Sequence, residues 1–160
     1  MDFYKLNFII QKFFINSKII KIKMIKSGLI NKTYIVEHLY NGSKSKFILQ
    51  SLGDIFESQE IVNINHKLIT DHITKKISKN YFLDKMWKVP NLVRCKSNNL
   101  FSFQYKSEFW RAMVFIEDTL CFDFLEDKMM AYQTGIGLAK FHLICSDLDS
   151  SKLTNSIKNF

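Results

Sequence analysis

The chain of 160 residues is poor in the residues that punctuate, staple or steer a fold: one proline, five glycines, three cysteines and two arginines. Cys95, Cys121 and Cys145 are odd in number and widely spaced, with no Cys-x-x-Cys pair. That excludes a disulfide framework or zinc site from the expectation, and buried or half-buried reduced thiols are expected instead. His38, His66, His72 and His142 have no metal-ligand spacing, so no metal ligand is assigned in the chain. No apolar run approaches the roughly 20 residues that a membrane span needs. The short run Phe8 to Ile10 is closed at once by Gln11 and Lys12, with no small-residue cleavage site after it. A cytoplasmic protein without a membrane partner is expected. The scarcity of arginine also bears on the net charge of +8, which rests on scattered lysines. No arginine-rich arm or RNA-binding aromatic motif accompanies them, so nucleic acid is not the expected partner. Solvated faces account for most of the lysines, and attraction of an anionic nucleotide is a secondary effect.

With 47% hydrophobic and 24% charged residues the chain reads as a globular domain able to bury a core. Phe3, Leu6, Ile10 and Phe13 step by three and four, which predicts a helix over 3–15. From Ile19 to Lys26 the residues Ile20, Ile22 and Met24 alternate with lysines, the period of a half-buried strand. Two apolar runs then flank Asn41-Gly42-Ser43, a hairpin signal, because Asn and Gly tolerate the positive φ of a tight turn. Ser58 caps a predicted helix over about 58–79, whose apolar face is read as Ile61, Ile64 and Leu68 with Val62, Ile69, Ile73 and Ile77. Residues 80–90 connect to an extended run, Asn91 to Cys95. Leu100 to Tyr105 and Phe109 to Ile116 read as an antiparallel pair. Last comes a helical stripe of Leu125, Met129, Tyr132, Ile136, Ala139 and Leu143, where Gly135 and Gly137 suggest close packing against a neighbour. The order predicts an α+β fold, an antiparallel sheet of about five strands with one packed helix.

The particular residues point further. Gly28-Leu29-Ile30-Asn31-Lys32-Thr33-Tyr34-Ile35-Val36 followed by Phe47-Ile48-Leu49-Gln50 resembles the aminoglycoside phosphotransferase and choline kinase-like superfamily, in particular its N-acetylhexosamine 1-kinase-like branch. Members of that branch read G-x-I-N-x-T-Y-x-V, then I-L-Q, then a Phe and a helix carrying an Asn. Phe56 and Asn65 fall at matching distances, and the likeness continues through Trp110-Arg111 and Phe115-Ile116-Glu117 to Gly135 and Phe141. The resemblance implies a protein-kinase-like N-lobe over 1–116, then the hinge and first helix of a C-lobe over 117–160. It implies ATP and Mg2+ as cofactors and a small-molecule hydroxyl, such as that of a sugar, as acceptor.

Carried over residue by residue, the resemblance places Gly28, Asn31 and Thr33 beside the phosphates. Gln50 stands where a protein kinase has its phosphate-contacting lysine. Asn65, on the following helix, is expected to pair with Gln50 as a neutral amide pair in place of the usual ion pair. Met113 flanks the adenine, and the backbone near Phe115 and Ile116 binds it. The family's H-G-D-x-x-x-x-N catalytic loop and later metal-binding motif have no counterpart, so no catalytic or metal residue is assigned. Asp147-Leu148-Asp149 lies too early for that motif, while Ile157 and Phe160 match the family segment L-x-x-T-I-P-x-F that precedes the missing half. The expectation is therefore the ATP-binding portion of a small-molecule kinase, inactive alone, with a complementing C-lobe chain or self-association covering its last helix. A non-catalytic nucleotide-binding or interaction module is the alternative.

Overall fold

A computed structural model describes residues 2–79 and 87–157, so the predicted connector falls largely outside the described residues. The described chain is α+β, with an antiparallel six-stranded sheet and three helices. Helix α1 spans Phe3–Phe13, capped by Asp2, whose side chain accepts from the Lys5 N–H. Its four buried residues, Leu6, Ile9, Ile10 and Phe13, form one stripe. Strands β1 (Lys18–Ile25), β2 (Lys32–Tyr40) and β3 (Ser43–Ser51) follow as a meander. Asn41 and Gly42 both take positive φ, 50° and 78°, and close the β2–β3 turn in the register Tyr40 to Ser43. The glycine is at home there because a side chain seldom adopts that conformation.

Helix α2 runs Gln59–Ser78 with Ser58 as its cap. Strands β4 (Leu92–Val93), β5 (Phe103–Tyr105) and β6 (Glu108–Val114) complete the sheet in the order β1-β2-β3-β6-β4, with β5 also paired to β6. Because β4 pairs with residues 112–113 of β6 and β5 with 108–110, the two share one edge. Five strand positions are therefore filled by six strands. Helix α3 spans Lys128–Cys145, and the Asp127 carboxylate accepts from the Met130 N–H at its start.

Three expectations fail in detail. The inward alternation of β1 is broken by a register shift between Ile19 and Lys21. Ile20 and Met24 are therefore exposed while Ile19 and Ile22 pack against the core. On α2 the buried positions are Asn63, Thr70 and Ile73, and Ile64 is half exposed. Isoleucines surround this helix, so hydrophobic content alone did not single out a face. On α3, Gly135 and Gly137 face open space, so close packing does not explain them, and of the helix only Ile144 is buried. The thiols also divide: Cys95 is buried and Cys145 intermediate, whereas Cys121 is exposed. No described helix is long and apolar enough to cross a membrane.

Candidate functional site

Strict alternation along β2, β3 and β6 gives the sheet two different faces. Tyr34, Val36, Phe47, Leu49, Trp110 and Ala112 pack against the α1 stripe as one core cluster. Their neighbours in sequence turn the other way. Thr33, Gln50 and Arg111 are register partners across β2, β3 and β6, and Ile35, Ile48 and Met113 form the rung two residues along. Met113 is buried, while Ile35, Ile48, Thr33 and Gln50 are half-buried. The sequence-predicted residues Thr33, Gln50 and Met113 thus share one face.

A chain of hydrogen bonds runs along the first of these rungs and onto α2. The Gln50 Nε2–H donates to Thr33 Oγ1 at 2.9 Å. Gln50 Oε1 accepts twice from Arg111, from Nε at 2.9 Å and Nη2 at 2.7 Å. Arg111 Nη1 then donates to Asn63 Oδ1 at 3.2 Å. Every partner of the guanidinium here is a neutral amide oxygen, and among the described residues no carboxylate pairs with it. Arg111 is only 8% exposed, and burial brings its pKa down to about 10. It stays charged at neutral pH, a buried cation lacking the counter-charge that normally accompanies one. His66 lies within its field. Burial, and then the Arg111 charge, lower the pKa of that imidazole, against the raising effect of its 2.7 Å bond to the Pro90 carbonyl. Clusters in which burial and charge perturb several groups at once concentrate at functional sites.

The expected Gln50–Asn65 pair does not form. Asn65 bridges to the backbone of Thr154, donating to its carbonyl at 2.6 Å and accepting from its N–H at 3.1 Å. Asn63, two residues earlier, takes the place that the sequence reading gave to Asn65, and Arg111 stands between it and Gln50. A sequence signal for this existed in Asn63, Thr70 and Ile73, spaced by seven and three on one helical face. The crowd of isoleucines concealed it.

The bend before β2 is held by backbone geometry. A Cβ on Gly28 would lie 2.9 Å from the Asn31 carbonyl oxygen, so the chain passes itself there too closely for a side chain. Asn31 Oδ1 accepts from the Gly53 N–H at 3.0 Å, which ties this bend to the loop after β3. Gly28 and Asn31 therefore shape the rim, and Thr33 alone of the three reaches the polar chain. Beyond β6, Phe115 and Ile116 line a cavity of about 370 Å3 with Thr74, Ile77, Trp87 and Val89. The Lys46 ammonium lies 5.1 Å from the centre of the Phe115 ring and 2.9 Å from Glu117 Oε2.

Among the described residues no group of three or more His, Cys, Asp or Glu side chains is placed to hold a metal ion. The arrangement can offer a half-open apolar rung beside a polar rung that includes one buried positive charge. No protein-family model matches the chain, and no curated protein matches it.

Proposed function

We propose that the chain is the ATP-binding portion of a small-molecule phosphotransferase, with the nucleotide docked on the sheet face opposite α1. The observation that carries this reading is the Arg111 cation, buried with no counter-charge among the described residues and held on Gln50, which the resemblance sets at the phosphate-contacting position of the third strand. The Gln50 side chain is uncharged, and Arg111, bonded to it from the neighbouring strand, supplies the positive potential that an anionic ligand needs. In this reading the base lies over Ile35, Ile48 and Met113, with polar backbone of Phe115 and Ile116 at its edge. The phosphates extend toward Thr33 and Gln50, under the bend shaped by Gly28 and Asn31. Asn65 is left out of the site.

Magnesium would arrive on the phosphates and neutralise charge during transfer; the reading assigns it no ligand among the described residues. Orienting an acceptor hydroxyl, such as that of a sugar, likewise falls to residues not assigned in this chain. A complementing lobe or a second copy would cover the stripe of α3, where Met129 and Tyr132 are each 64% exposed. Contiguous apolar surface of this kind marks interaction sites.

Calorimetric titration with a non-hydrolysable ATP analogue tests the reading. Saturable binding is expected, weakened at least about tenfold by Ile48→Glu, which sets a negative charge on the proposed face. An absence of binding by the folded wild-type chain, or equal binding by a folded variant, would sink the proposal. Oligonucleotide binding that collapses with salt, with no nucleotide preference, would point to a nucleic-acid protein instead.

A further inference from the structure

A second cavity, of about 320 Å3, opens between α2 and the segment 94–102. Its walls include Ile64, Leu68, Leu100 and Phe101. The Phe101 ring is fixed by two cations, the Arg94 guanidinium 4.4 Å from its centre and the Lys67 ammonium at 5.2 Å. Arg94 is itself held by donation to the Asn99 carbonyl at 2.5 Å, and Lys67 by donation to Asp71 Oδ2 at 2.5 Å. The volume falls in the range of small-molecule sites, which combine apolar walls with a few placed polar groups.

Asn63 is part of the same wall. Its residue is 4% exposed, and its Oδ1 accepts from Arg111, which identifies the other amide atom as the free donor. The Nδ2 is a buried donor with no hydrogen-bond partner among the described residues. A buried donor left unmade costs its full desolvation. Since Nδ2 holds no bond, a small turn of the amide toward an occupant breaks none at that atom. The charges around the cavity balance, with Lys67 and Arg94 against Glu60 and Asp71.

We propose that this cavity is a binding site for a small neutral aromatic compound carrying one carbonyl acceptor. Apolar walls with a pinned phenyl ring favour an aromatic body through offset or edge-on ring contact. Balanced charge gives no advantage to an ion, and the unpartnered Asn63 donor in the wall selects an acceptor. None of its walls belongs to the Ile35–Ile48–Met113 rung, and the one link to the nucleotide face is the bond from Arg111 to Asn63 Oδ1.

The test uses benzamide, with toluene as the ring lacking an acceptor, on the full 160-residue chain, read by methyl NMR of Ile64, Leu68 and Leu100. Benzamide is expected to shift these methyls saturably and to bind at least about tenfold more tightly than toluene, the worth of one well-made hydrogen bond. Asn63→Asp keeps an acceptor for Arg111 but removes the donor, and is expected to abolish the preference for benzamide. Leu100→Trp, on a half-exposed part of the wall, fills the space and is expected to block both compounds. Failure of benzamide to shift these methyls, or equal affinity for the two compounds in the wild-type chain, would overturn the proposal. So would a preference unchanged in Asn63→Asp. Should Asn63→Asp fail to fold, the wild-type preference and the Leu100→Trp block still decide.

Discussion

The two faces of one sheet are built from alternate residues of the same strands, yet they differ in kind. Toward α1, Val36, Leu49 and Ala112 have no exposed surface, and Trp110 and Phe47 have almost none. Toward the other side, the same strands present Thr33, Ile35, Ile48 and Gln50, none fully buried, around one buried cation. A face sealed by a helix stripe holds the fold, whereas a half-open face with a buried charge that no described carboxylate compensates stores electrostatic potential at the expense of stability. A strand's period of two lets one segment serve both ends.

The comparison is broken most forcefully by truncating each face in turn. Trp110→Ala removes a side chain that packs in the core and donates from Nε1 to Glu108 at 3.2 Å. The expected cost is about 3–5 kcal/mol, read as a large fall in the denaturation midpoint. Ile48→Ala, one strand away on the opposite face, is expected to cost no more than about 1.5 kcal/mol because its side chain is only partly buried. Equal costs would mean that the second face is a core as well.

A smaller effect sharpens the polar side. Gln50→Ala strips Arg111 of the one oxygen that accepts two of its hydrogen bonds, at an expected cost of roughly 1–3 kcal/mol. Combined with Asn63→Ala, the costs are expected to be non-additive, since both residues hold the same guanidinium. Combined with Asn65→Ala they are expected to add within about 0.5 kcal/mol. Coupling to Asn65 with none to Asn63 would reverse the assignment.

The smallest effect is a dependence on pH. His38 sits on the α1 side, 2% exposed, against the rings of Phe14, Phe47 and Tyr40, with Nε2 3.0 Å from Ser45 Oγ. Burial lowers its pKa, and burial also leads the lowering at His66. A base whose folded pKa is depressed is held neutral by the fold, so the unfolded chain takes up the proton first as pH falls. Stability is therefore complete above the ordinary histidine value of about 6.5 and declines below it. Thermal melts between pH 7.5 and 5.5 are expected to show that decline, reduced in His38→Phe. An unchanged slope in that variant would place the linkage at His66.

How much of this was legible in the sequence follows from which signals were local. Asn41-Gly42 determined its turn without help, and Ser58 marked the start of α2 to the residue, because both effects act within a few positions. The burial alternation of Thr33 to His38 and of Lys46 to Ser51 was hidden in the sequence, because Tyr34-Ile35-Val36 and Phe47-Ile48-Leu49 are unbroken apolar runs and the buried set includes His38 and Ser51. β1 departed from it because its register shift depends on how it meets β2, which its own residues do not specify. The polar chain was half legible. Gln50 and Thr33 were singled out, but Arg111 was read only as part of a strand, and Asn63 was passed over for Asn65. Which helical residue meets Arg111 depends on the rotation of α2 over the sheet, and a helix carrying isoleucine on every side gives no internal measure of that rotation. Likewise nothing in Gly135 or Gly137 announced open space rather than a neighbour.

Methyl NMR of the whole chain during titration with a non-hydrolysable ATP analogue tests the division between the two faces most directly. The account predicts saturable shifts at Ile35, Ile48 and Met113, with Val36, Leu49 and Ala112 on the sealed face left in place. Shifts spread equally over both faces, or confined to the sealed one, would contradict it.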